Sequence, residues 1–193
     1  GLPRIVFKES PSEYQPFRRM LVKIKKEIIS MGQPQIKPSE MPAPNLTAKQ
    51  LKEWYEQGKE MIVLDTRNDY EVEVGSFKNA VVLPIDHFRA FPEAIKHLDP
   101  SWKEKPIVTF CTGGIRCEKA APFMIQEGFK EVYQLEGGIL KYFEECGGDF
   151  WEGDCFVFDQ RVALNPQLLE TDLAQCFACR KPVTKAQQLE GPY

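Results

Sequence analysis

Residues 106–124 read PIVTFCTGGIRCEKAAPFM, an apolar run of strand length, a loop built on Cys111, Gly113, Gly114 and Arg116, and then a helix-forming segment. A buried strand would deliver Cys111 to its carboxyl end, where ligand crevices form in open α/β sheets. Gly113 and Gly114 are expected to take positive φ and turn successive backbone N–H groups inward as an anion-binding nest. The helix starting near Cys117 would add the partial positive charge of its amino terminus, and Arg116 a fixed charge at the rim. Together these should pull the Cys111 thiol from about 8.5 into the roughly 3.5–7.5 range of activated cysteines. The alternative is an inert cysteine above an ordinary glycine turn. The coincidence of strand, cysteine, paired glycine, arginine and helix favours chemistry.

The flanking sequence repeats this alternation. NLTAKQLKEWYEQG, residues 45–58, has Thr47 as an N-cap, Leu51 with Trp54 or Tyr55 at helical spacing, and Gly58 as a stop. MIVLDTR, AVVLPI and EVYQL are short apolar runs like PIVTF, and the helical or turn-rich stretches HFRAFPEAIKHL and EGGILKYFEECGG follow the second and the last of them. Continuous apolar strands separated by helices predict an α/β domain over residues 45–150, with a central parallel sheet covered on both faces. Asp65 and Arg67 end the first of these strands. An internal ion pair tying the loops together is the expectation there, and a role in the pocket the alternative.

The rest of the 193 residues attaches to this domain. Residues 1–45 carry eight Lys or Arg against four acids, concentrated in FRRMLVKIKKEI. Val22 and Ile24 alternate with Lys23 and Lys25 as in a strand, although Glu27, Ile28 and Ile29 break the pattern. Residues 1–30 have no core of their own and read as the tail of a preceding domain. Four prolines in MGQPQIKPSEMPAPN make residues 31–44 an extended linker. Residues 151–193 form a cysteine-containing extension with CFVF as a strand candidate. A net charge of −3 gives no general affinity for nucleic acid, so such binding needs a local patch. No apolar run approaches the roughly 20 residues that span a bilayer, and the chain's first residues lack a signal-peptide pattern. The expectation is a cytoplasmic protein, with no membrane partner, whose six cysteines are reduced.

CTGGIRC resembles the active-site loop of the rhodanese, or sulfurtransferase, domain, which implies a three-layer α/β fold and a persulfide-carrying role for Cys111. VLDTRNDYEVEVGSFKNAVVLPI is similar to that family's upstream signature, and VYQLEGGILKY to its closing glycine motif. Four residues separate Cys111 from Arg116, the short loop associated with sulfur rather than the longer loop of related phosphatases. Ser76 departs from the family, which usually has His there, at a position expected to be structural. FCTGGIRCEKAAPFM, with SPSEYQPFRRMLVKIKKEIISMG upstream and CFVFDQRVA downstream, further resembles the oxygen-dependent tRNA uridine 5-hydroxylases. That resemblance implies formation of 5-hydroxyuridine at the wobble position, an amino-terminal domain before the rhodanese domain and a cysteine-rich region after it. It makes tRNA the partner and molecular oxygen the co-substrate, with no other cofactor certain. The alternative is a sulfurtransferase that draws sulfane sulfur from thiosulfate or a donor protein.

The loop Thr112, Gly113, Gly114, Ile115, Arg116 and Cys117 is the candidate site around Cys111, supported by Asp65 and Arg67. Cys117 is either a thiol that resolves an oxidised Cys111 or a small helix-start residue facing the core. Glu118 and Lys119 are expected to be solvated, and His87 and His97 to lie at the surface. Arg18, Arg19, Lys23, Lys25 and Lys26 are candidate contacts for tRNA phosphates or else a solvated face. Cys155, Cys176 and Cys179 have zinc-ligand spacing, with Cys146 available as a fourth ligand; reduced thiols in a partly ordered tail are the alternative.

Overall fold

Burial on both faces turns the short apolar runs into one parallel sheet. The computed structural model describes residues 9–191; residues 1–8 of the expected preceding tail and residues 192–193 of the extension lie outside it. In chain order the elements are β1 (Asn45–Leu46), α1 (Ala48–Glu56), β2 (Ile62–Asp65), α2 (Asp69–Val72), β3 (Gly75–Phe77), β4 (Val81–Val82), α3 (Phe91–Ala94), β5 (Pro106–Phe110), α4 (Cys117–Gln126), β6 (Glu131–Leu135) and α5 (Gly138–Cys146). The extension adds β7 (Trp151–Gly153), β8 (Cys155–Phe156), β9 (Ala163–Leu164), β10 (Ala174–Gln175), β11 (Pro182–Val183) and α6 (Lys185–Glu190). The main sheet runs β1-β6-β5-β2-β4 and every pairing in it is parallel. β5, which leads into Cys111, lies at its centre.

Side chains alternate between two cores, as a period of two requires. Ile107 and Leu64 face α4 and the segment around α3, in a core with Ala121, Met124 and Phe91. Val108, Phe110 and Val63 face the opposite way, against Leu51 of α1 and Ile139, Tyr142 and Phe143 of α5. The three-layer α/β architecture follows from this alternation. Thr47 caps α1 as its position suggests: its hydroxyl accepts from the Gln50 N–H, and the Gln50 side chain accepts from the Thr47 N–H, completing a capping box.

The attachments differ from expectation. Residues 9–43 contain no helix or strand. Val22 and Ile24 find no sheet edge, so the strand suggested by their alternation does not form, and Ile24 is fully exposed at 104%. The proline-rich linker is irregular but is not a free tether, because Met31, Ile36 and Ala43 enter the core beneath α4. Packing also runs on past residue 150: β7 pairs antiparallel with β3, and Trp151 and Cys155 join the core of α1 and α5. CFVF contributes a strand only over Cys155–Phe156, paired with β9.

Candidate active site

Cys111 is the first residue after β5, and Cys117 the first of α4, so the loop between them returns the chain upon itself at the carboxyl edge of the sheet. Only Gly114 takes the left-handed conformation expected of both glycines, at φ +86°; a Cβ on Gly113 would meet nothing within 4 Å. The second requirement for glycine lies elsewhere, at Gly138 (φ +68°), where a Cβ would stand 2.3 Å from the Cys111 carbonyl oxygen and 2.6 Å from the Gly114 nitrogen. Without side-chain bulk there, α5 reaches the loop and caps it. The N–H groups of Ile139 and Leu140 donate to the carbonyls of Cys111 and Thr112 at 3.0 and 3.1 Å.

Cys111 is 2% exposed. Burial alone would hold its thiol neutral, but a hydrogen bond from the Cys117 thiol, the positive charge of Arg116 and the backbone N–H groups of Arg116 and Cys117 outweigh it. The Cys111 sulfur is thereby lowered to about 5 and is a thiolate at neutral pH. Cys117 moves the other way. Burial, followed by the hydrogen bond and charge of Cys111, pushes it well above the ordinary thiol range, so it stays the protonated partner. Its sulfur also lies 3.7 Å from Thr66 Oγ1, whose hydroxyl donates to the Phe110 carbonyl at 2.9 Å.

Arg116 is not at the rim. It is buried and donates in a bidentate fork to Glu71, Nη1 to Oε2 at 2.5 Å and Nη2 to Oε1 at 2.7 Å. Glu71, itself 0% exposed, also accepts from the Asn68 N–H at 3.1 Å and from the Thr112 hydroxyl at 3.3 Å, so four donors serve its carboxylate. A buried charge pair needs this degree of hydrogen bonding to offset its desolvation. Glu71 therefore fixes both ends of the loop. Sequence reasoning missed it; the available signal was an acidic residue with a capping-box relation to Asn68 inside a four-residue helix.

Asp65 and Arg67 form the internal ion pair, fully buried, with Arg67 Nη2 2.6 Å from Asp65 Oδ2. Arg67 also donates to the Gly75 carbonyl at 2.6 Å, and Ser76 donates its hydroxyl to Asp65 Oδ2 at 2.9 Å. Ser76 thus serves the same carboxylate with a short side chain. Lys119 is another correction. Rather than being solvated, it is 1% exposed, ion-paired with Glu27 and donating to the Gln33 carbonyl at 2.9 Å. That contact fastens the amino-terminal segment to α4. Beside it lies a cleft of about 760 Å³ whose walls include Gly113 and Gly114 on one side and Lys26, Glu27 and Lys37 on the other.

Of the basic block, Lys26 lines this cleft. Arg18 lines a second, of about 980 Å³, together with Phe17, Phe158 and Phe177. Arg19, Lys23 and Lys25 are exposed and line neither. Ile115 is the exposed member of the loop. His87 and His97 lie at the surface, beside Asp86 and Glu93.

The three cysteines with zinc-ligand spacing are not brought together. Cys155 is buried, its thiol donating to the Phe156 carbonyl at 3.6 Å, and burial pushes it up to about 12 despite the nearby Arg67. Cys176 and Cys179 share a separate turn before β11, where the Arg180 N–H donates to the Cys176 carbonyl at 3.0 Å. Among the described residues no group of three or more His, Cys, Asp or Glu side chains is placed to hold a metal ion. The reason is that β8 commits Cys155 to the domain core, behind Thr112. Among the same residues no helix is long and apolar enough to cross a membrane.

The rhodanese-like domain profile matches residues 47–145. A tRNA uridine(34) hydroxylase of Ralstonia nicotianae is 53% identical over 191 residues, spanning 96% of this chain and 68% of that protein. One from Cupriavidus necator is 54% identical with the same coverage. Among solved structures, a Rhodopseudomonas palustris protein described as of unknown function and a possible tyrosine phosphatase aligns at TM-score 0.50 with 22% identity, over 65% of this chain and 96% of that one, a likeness of fold alone.

Proposed function

The chain belongs to the rhodanese-domain tRNA uridine(34) hydroxylases, and we propose that it hydroxylates C5 of uridine 34, the wobble position of tRNA, using molecular oxygen and the Cys111 thiolate. The observation that carries the assignment of chemistry to Cys111 is its environment: a buried sulfur lowered to about 5 by one thiol, one guanidinium and two backbone N–H groups. Arg116 is itself fixed by Glu71, the Cys117 sulfur lies 3.7 Å from Thr66 Oγ1, and α5 holds the carbonyls of Cys111 and Thr112. Such preorganisation favours a charged sulfur without reorganising the site during reaction.

The substrate is a polyanion, and the cleft beside Gly113 and Gly114 offers Lys26, Lys37 and Lys141 along its walls. Arg18, Phe17, Phe158 and Phe177 around the second cleft combine a cation with exposed rings, a composition suited to unstacked bases of an anticodon loop. Residues 1–30 are read as the tail of a preceding domain, 31–44 as a strap rather than a spacer, and 151–193 as an extension whose Phe156 carbonyl accepts from the Thr112 hydroxyl of the loop. The cytoplasm, where tRNA is modified, is the proposed location.

The test is nucleoside mass spectrometry of tRNA from a deletion strain complemented with wild type or Cys111→Ser. Restoration of 5-hydroxyuridine by wild type alone is expected; a deletion that leaves its level unchanged overturns the assignment. The four-residue spacing from Cys111 to Arg116 favours a second reading, sulfur transfer from a small-molecule or protein donor. Cyanide-releasable sulfur on the purified protein tests it independently.

A further inference from the structure

Replacing a C–H hydrogen of uridine by one atom of dioxygen leaves the other atom to be reduced to water, and that reduction consumes two electrons. The loop holds a matched source. Cys111 and Cys117 are buried free thiols at the two ends of one turn, and Thr66 bridges them: its hydroxyl lies 3.7 Å from the Cys117 sulfur and donates to the carbonyl of Phe110, the residue before Cys111. We infer that Cys117 is a catalytic residue of the hydroxylation, closing a disulfide with Cys111 and so supplying, with it, the two electrons that each turnover requires. This rests on the hydroxylase reading proposed above.

The balance is complete. Uridine C5–H, dioxygen, the Cys111 thiolate, the Cys117 thiol and one proton become uridine C5–OH, water and the Cys111–Cys117 disulfide. The C5–H, O–O and Cys117 S–H bonds break, while C5–O, S–S, the O–H bond of the new hydroxyl and the O–H bonds of water form. Sulfur is oxidised, one oxygen atom enters the base, and the other leaves as water. A soluble thiol or dithiol then reduces the bridge by exchange, itself becoming a disulfide.

Geometry separates Cys117 from the other cysteines. Cys155 engages the Phe156 carbonyl instead, and Cys176 and Cys179 lie in the distant turn. Cys117 is held in register with Cys111 from both sides. Arg116, its chain neighbour, is clamped by Glu71, and Thr66 Oγ1 lies 3.7 Å from its sulfur. A residue present only to fill space at a helix start would need none of these contacts.

The test is a single-turnover experiment on the full-length protein, reduced, freed of reductant and mixed anaerobically with tRNA bearing unmodified uridine 34, before oxygenated buffer is added. One Cys111–Cys117 disulfide per 5-hydroxyuridine, found by peptide mass spectrometry after trapping free thiols, is the expected result. Cys117→Ser keeps a hydrogen-bond donor to Cys111 but cannot close the bridge. It should retain rapid alkylation of Cys111 and lose turnover without added thiol, with recovery when dithiothreitol is supplied. Hydroxyuridine formed while both thiols stay reduced, or Cys117→Ser turning over at the wild-type rate without added thiol, overturns the inference and leaves hydroxylation standing. No hydroxyuridine from reduced wild type, with tRNA, oxygen and dithiothreitol all present, removes the hydroxylase reading and this inference with it.

Discussion

The molecule carries two close cysteine pairs, and their surroundings could hardly differ more. Cys176 and Cys179, separated by two residues within a turn of the extension, have the spacing usually read as chemistry. Cys176 is 8% exposed and Cys179 exposed, and the backbone N–H groups of Cys179 and Ala178 lower the Cys176 thiol. The turn that holds them borders the second cleft, which Cys176 lines with Phe177 and Arg180. Cys111 and Cys117 lie further apart in sequence, yet strand β5, helix α4, the Glu71–Arg116 pair and the amino end of α5 all converge on them. A turn alone can bias a thiol. A working sulfur needs its biasing groups fixed by other groups, and that frame is spread over residues 65 to 156.

The comparison can be broken by substitution, beginning with the largest effect. Cys111→Ser should lower 5-hydroxyuridine formation by about a thousandfold or more, whereas Cys176→Ser and Cys179→Ser should leave it near wild type in the complementation assay. Equal losses at both pairs would erase the distinction. Glu71→Ala strips the carboxylate from buried Arg116 and from Thr112, and should destabilise the domain by about 3–5 kcal/mol in denaturant unfolding. A change no larger than that of an exposed pair would show that the frame is not what holds the loop. Gly138→Ala places a Cβ against the Cys111 carbonyl in a left-handed backbone, and should cost at least about 1–3 kcal/mol. Gly113→Ala, with open space around its Cβ, should change stability by no more than about 0.5 kcal/mol. The reverse order would mean that α5 does not buttress the loop.

The sheet, its parallel sense and the loop at Cys111 were legible because they are local: a strand-length apolar run, a glycine turn and a helix start adjoin one another in residues 106–124. The capping of α1 by Thr47 was legible for the same reason. Glu71 was not, because its partner Arg116 lies 45 residues away and nothing around an acidic residue announces that it will be fully buried. Lys119 was misread on similar grounds. A lysine in the first turn of a helix is ordinarily solvated, and only the return of residues 27–33 over α4 covers it. The proline-rich segment was rightly irregular, but its apolar Met31 and Ile36 were the clue that it packs. The zinc-like spacing of Cys155, Cys176 and Cys179 says nothing of which thiol a later strand will draw into the core, and β8 draws in Cys155.

The account stands on Cys111 being ionised at neutral pH while its neighbour Cys117 is not. Since the Cys111 thiol is lowered, its thiolate should be fully present above about pH 6 and lost only as pH falls through about 5. Initial alkylation rates of Cys111 by iodoacetamide, measured by mass spectrometry from pH 4 to 10, read that fraction directly. A rate half-maximal near pH 5 and flat above it is the predicted result, with the midpoint moving upward in Cys117→Ala. A rate that climbs through pH 8 to 9, as for an unperturbed thiol of about 8.5, would contradict it.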